Sequence, residues 1–211
     1  MLIPFLRSLS WQSLRPQFVA CLFAGLSLTA FWLALFSTPV FADSVEWQTL
    51  KQGKVVVKQY TAPNTVPSVE ARILIPKPPE KVWTVVSDPE TLLESERKVK
   101  QVKVLSRSAN KQNVSFSVIM TSLFPAFNYI LLQELSPPYL INFHRVSGSF
   151  KDIQGAWRLI PADNGTKTIL SYTLKLDPGP LVPRSLLLTA VKSDLPNFMN
   201  NAKTSINKNL P

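Results

Sequence analysis

From about Val99 to Leu176 the apolar residues of this chain recur at alternate positions. From Leu187 onward they recur at every third or fourth. That change of period constrains the fold more than any other feature. Val102 and Val104 flank Lys103, and Val114, Phe116, Val118 and Met120 alternate with Ser115, Ser117, Ile119 and Thr121. Asn128 to Leu135 is apolar on both sides in its middle. Tyr139, Ile141 and Phe143 alternate with Asn142 and His144, and Ile153, Gly155, Trp157 and Leu159 share one side of the next segment. After the tight turn Asp163-Asn164-Gly165, Leu170, Tyr172, Leu174 and Leu176 share a side. A period of two is that of a strand, and strands separated by short turns predict an antiparallel sheet. Leu187, Val191, Leu195, Phe198, Ala202 and Ile206 then form one helical stripe. Pro196 is expected to kink that helix or to restart it with Asp194 as a cap.

Upstream, Lys54 to Tyr60 reads as a strand and Thr61 to Ser68, with Pro63 and Pro67, as a loop. Val69, Ala71, Ile73 and Ile75 alternate with Glu70, Arg72 and Leu74, which predicts a half-buried strand. Pro79 opens a short helix with Val82, Trp83 and Val86 on one side, and Asp88-Pro89-Glu90 opens a second. The expected class is α+β. A curved antiparallel sheet of about seven strands wraps on a long C-terminal helix, with two short helices after the first core strand. One helix crossing a bent sheet does not fill the space between them, so an internal apolar cavity is expected, a site for an apolar ligand. Its candidate lining is Trp83, Phe116, Val118, Phe143, Trp157, Tyr172, Leu187 and Val191. The competing reading is that the aromatic members simply fill the core.

Residues 1–42 contain two bases, Arg7 and Arg15, and no acid, and Phe18 to Phe36 is almost wholly apolar. Val40 and Ala42 are small enough for the two pockets of a signal peptidase, so cleavage is expected after Ala42. The apolar run is also long enough to span a bilayer as an uncleaved anchor. Both readings place the rest of the chain outside the cytoplasm: periplasmic, luminal or extracellular. Cys21, the only cysteine, lies inside that run, so residues 43–211 carry no thiol. Residues 43–68 form a lead of strand and linker, and 69–208 the main domain.

Little in the chain suggests catalysis. One cysteine and one histidine exclude a disulfide framework and multi-histidine or cysteine-rich metal sites. None of the six glycines falls in a nucleotide-binding pattern. His144 alternates out of phase with its apolar neighbours and reads as a surface residue. Tyr172 and Arg145 are the polar groups nearest to acid or base candidates, and no catalytic residue, metal or cofactor is assigned. Two apolar connections, one with Leu123, Phe124 and Phe127 and one with Leu181 and Val182, are candidates for gating the cavity and touching a membrane. The basic run Arg97, Lys98, Lys100, Lys103, Arg107 and Lys111 is either a solvated face or a contact for anionic lipid. Without stacking aromatics among these bases, no nucleic-acid partner is expected.

The stretch Val69-Glu-Ala-Arg-Ile-Leu-Ile-Pro-Lys-Pro-Pro-Glu-Lys-Val-Trp83, running on to Ser87-Asp88, resembles the opening of the START-like (SRPBCC) superfamily. The nearest branch is the polyketide cyclase/dehydrase and coenzyme-Q-binding-like family. Ser147-Gly148-Ser149-Phe150, Gly155-Ala156-Trp157-Arg158-Leu159 and Asp194-Leu195-Pro196-Asn197 extend the resemblance over roughly residues 69–208. Where that family often has a proline and an aromatic after the second helix, this chain has Glu94-Ser-Glu-Arg-Lys-Val-Lys100. The resemblance implies a helix-grip fold and a hydrophobic small-molecule ligand such as a lipid, isoprenoid or quinone-like compound. It also leaves room for a cyclase-like enzyme or a non-ligand interaction domain on the same scaffold.

Overall fold

The alternating segments become strands and the terminal stripe a helix in the computed structural model, which describes residues 45–63, 65–119, 125–181 and 183–210. The expected leader, with Ala42, lies outside them. The order is α1 (Val45–Lys51), β1 (Val56–Tyr60), β2 (Ser68–Ile75), α2 (Pro79–Val86), α3 (Pro89–Leu92), β3 (Val99–Arg107), β4 (Lys111–Val118), β5 (Phe127–Ser136), β6 (Leu140–Gly148), β7 (Asp152–Ala162), β8 (Lys167–Asp177) and α4 (Arg184–Asn209). Every strand pairing is antiparallel, in the order β1-β2-β8-β7-β6-β5-β4-β3. The sheet has eight strands rather than about seven, since β1 from the lead joins β2 at the edge.

Local chemistry accounts for the boundaries. Proline occupies the first turn of α2, where a missing N–H costs nothing. The Asp88 side chain accepts from the backbone N–H of Glu90 and caps α3. Asp163 and Asn164 adopt φ of 52° and 55°, as the β7–β8 turn requires. Pro196 does not restart the last helix: α4 runs unbroken through it, and Asp194 pairs with Lys98 instead of capping.

One face of the sheet carries the main core. Ile73, Val114, Ile141, Leu159 and Leu170 meet Leu195, Met199 and Ile206 of α4 and Val82 and Val86 of α2. The strand at 68–75 is not half-buried as expected. Leu74 and Glu70 on its other side are buried too. α1, too short to announce itself by periodicity, lays Leu50 and Trp47 over Leu74 and Ile169 on that second face. Beside it Glu70 receives hydrogen bonds from Arg72 (2.8 Å), Tyr60 (2.8 Å) and Ser171 (2.6 Å), and Arg72 also reaches Glu46 (2.8 Å). No helix among the described residues is long and apolar enough to cross a membrane.

Candidate ligand-binding site

Alternate residues of neighbouring strands project toward α4 and do not fill the space beneath it. Phe116 and Val118 come from β4, Tyr129, Leu131 and Gln133 from β5, Phe143 from β6, Trp157 from β7, and Tyr172, Leu174 and Leu176 from β8. Val191, Leu195 and Phe198, spaced four and three apart on α4, close the space from above. The cavity measures about 210 Å³. A single water needs roughly 10–15 Å³ on a comparable measure, so the space is sized for a molecule rather than a solvent.

Its walls are two aromatic groups. In one, Tyr172 lies 4.4 Å from Trp157, 5.1 Å from Phe198 and 5.8 Å from Phe143, centroid to centroid. In the other, Tyr129 stacks on Phe116 at 5.2 Å and meets Phe150 edge-on at 5.5 Å. Burial pushes both tyrosine hydroxyls far above the ordinary phenol range. At neutral pH they are protonated hydrogen-bonding groups, not bases.

The rim is polar and tied to α4. Lys98 pairs with Asp194. Asn201 donates to Glu96 at 3.1 Å, and Lys208 to Glu94 at 3.0 Å. The acids of the 94–100 segment therefore fasten it to the last helix. The basic run is partly engaged as well. Arg107 lies 3.8 Å from Asp88, and Lys111 2.8 Å from Glu134.

The structure brings six of the eight sequence-selected lining residues to this cavity: Phe116, Val118, Phe143, Trp157, Tyr172 and Val191. Trp83 lies elsewhere, half-buried on α2 against the main core. Leu187 lines a second hollow of about 300 Å³ between α4 and the Thr65–Pro67 loop. The two hollows share Leu174, Leu176 and Val191. Phe127, expected at a gate, stacks on Phe150 at 4.8 Å and is half-buried at the start of β5. Leu123, Phe124 and Val182 lie outside the described residues. Leu181 ends a short 3-10 turn, Gly179–Leu181. His144 is exposed on β6, and Arg145 donates to the Gly148 carbonyl at 2.9 Å. Sequence reasoning missed Tyr129, Leu131 and Gln133, because β5 is apolar at both parities and offered no phase. Counting Gln112 and Gln133 as in phase with Phe116 and Tyr129 would have found them.

Comparison with known proteins places this geometry. The profile of the family described as "Polyketide cyclase / dehydrase and lipid transport" matches residues 75–203. Comparison with curated protein sequences returns no match. Among solved structures, a protein from Thermus thermophilus superposes with a TM-score of 0.62 at 19% identity, over 69% of this chain and 100% of its own. The Zhui aromatase/cyclase from Streptomyces sp. R1128 gives 0.60 at 18% identity, over 68% and 95%. Human STARD10 gives 0.62 at 16% identity, over 74% and 70%. At these identities the superpositions establish the helix-grip START fold, and the profile covers more than half of the chain. The chain belongs to the polyketide cyclase/dehydrase and lipid transport family.

Proposed function

We propose that this protein binds and carries a hydrophobic small molecule, a lipid, isoprenoid or quinone-like compound, in the cavity beneath α4. One observation carries the reading: about 210 Å³ of unfilled space walled by aromatic and aliphatic side chains. Moving roughly 200 Å² of apolar ligand surface out of water contributes about 5 kcal/mol before the costs of association. No covalent step is needed. The family description supports a hydrophobic guest, since polyketide chains and lipids are both of that kind. Two protonated tyrosines, rather than a charged base, favour holding a guest over abstracting its proton.

The test is native mass spectrometry of the purified protein, followed by solvent extraction of the released species. Val191→Trp should fill the space from α4, lowering bound lipid at least about tenfold while leaving the fold intact by circular dichroism. Equal lipid content in the folded variant would defeat the reading. Export is part of this proposal and rests on the Arg7–Ala42 pattern alone. Amino-terminal sequencing of the protein recovered from its host is expected to begin at Asp43. A protein beginning at Met1 and fractionating with membranes would establish the anchor form instead.

A further inference from the structure

Gln112 on β4 and Gln133 on β5 stand directly opposite each other in the sheet. Only 1% and 5% of their surfaces are exposed. Both occupy phases that otherwise carry Val114, Phe116, Tyr129 and Leu131, so two polar side chains stand where packing alone would place aliphatic ones. Their orientation is fixed from outside. The Arg107 side chain can only donate, and its Nε donates to Gln112 Oε1 at 2.9 Å. The Ser87 carbonyl can only accept, and it takes a bond from Gln112 Nε2 at 3.1 Å. Gln112 Nε2 is thereby the end that reaches Gln133 Oε1, at 2.6 Å. The remaining end of Gln133, a residue that lines the cavity, is its amide NH2, which makes no hydrogen bond among the described residues. An amide N–H without a protein acceptor is open to one from a guest, and the relay from Arg107 keeps this one from turning away.

We infer that Gln133 selects a ligand with an uncharged acceptor oxygen, a ketone, ester or quinone carbonyl on a hydrocarbon body, by donating its amide N–H to it inside the cavity. This inference rests on the apolar-cavity reading and narrows it. Tyr129 and Tyr172 line the same space and add two further neutral hydroxyl groups to its wall. Among the described lining residues the one cation, Lys98, is paired with Asp194 at the rim. The interior therefore offers hydrogen bonds but no charge to a headgroup.

The probes are beta-acetylnaphthalene and beta-ethylnaphthalene, which share a shape and differ by one carbonyl oxygen. Their dissociation constants are measured by intrinsic fluorescence for the wild-type protein, Gln133→Leu and Gln133→Met. Dividing the ketone-to-hydrocarbon ratio of each variant by that of the wild type cancels the probes' hydration. The quotient should show about a tenfold loss of ketone preference in both variants, with ethylnaphthalene bound as well as before. Two different replacements guard against one that packs poorly, and thermal unfolding verifies each. An unchanged quotient with both probes bound overturns the role of Gln133 and leaves the cavity reading standing. Failure of the wild type to bind either probe overturns both.

Discussion

Gly155→Ala should lower the unfolding free energy by about 3 kcal/mol, at the upper end of the usual cost of overpacking. For a domain of this size that is a fall of roughly 10 °C in the melting midpoint. Gly155 sits mid-strand in β7, paired with Phe143 of β6 and Leu174 of β8. A Cβ there would lie 2.1 Å from the Thr173 carbonyl oxygen and 2.4 Å from the Phe143 ring. The carbonyl belongs to the neighbouring strand, so room on that side comes only from opening the ladder. The ring can move, but only by leaving the floor of the cavity that it lines. The substitution should therefore also weaken ethylnaphthalene binding by several-fold in whatever fraction remains folded. Urea unfolding monitored by tryptophan fluorescence, paired with the probe titration, checks both effects. A wild-type midpoint would show that the close approach at Gly155 is not what sets the packing there.

Arg72→Ala should cost a similar amount at neutral pH, about 3 kcal/mol, the low end for stripping a partner from a buried charge. Burial opposes ionisation of Glu70. Hydrogen bonds from Arg72, Ser171 and Tyr60 outweigh it and hold the carboxyl below its ordinary value of 4.5. A carboxyl with a depressed folded-state pKa stabilises the fold above the unfolded-state value, and that contribution drains away as pH falls through the folded-state value. The wild type should thus lose stability on acidification below about pH 4.5. In Arg72→Ala the largest lowering influence is gone, burial prevails, and acid relieves the buried carboxylate. The stability gap between the two proteins should be widest near pH 7 and should close toward pH 3. Denaturation series at several pH values read this directly. A gap constant with pH would mean that Arg72 acts through packing and not through Glu70.

The residues that gave the fold away are those whose environment is set on one side only. Strands β4 and β6 keep a clean alternation because only one face meets the main core. Their inward residues could be read off directly, and so could the stripe from Leu187 to Ile206. Legibility failed where a second contact intervened. Glu70 and Leu74 are buried because α1 covers the outer face, and seven residues of helix carry too little pattern to predict that cover. β5 hides its phase because Ile130 and Leu132 match Leu131 in kind. Trp83 and Leu187 have the right character for the cavity but project elsewhere, a matter of helix rotation and not of composition. The glutamine pair was passed over because a search for apolar alternation skips polar residues that keep the same beat.

Leu174, Leu176 and Val191 line both hollows, so under the proposed function they would set how long a guest could be held. They are three aliphatic side chains, groups that change rotamer without disturbing any ladder hydrogen bond. A chain-like guest longer than the space beneath Phe198 would then have to displace those side chains to reach the hollow lined by Leu187 and the Thr65–Pro67 loop. Capacity would then be adjusted by rotation about single bonds in three aliphatic side chains, with the ladder of the sheet left unchanged.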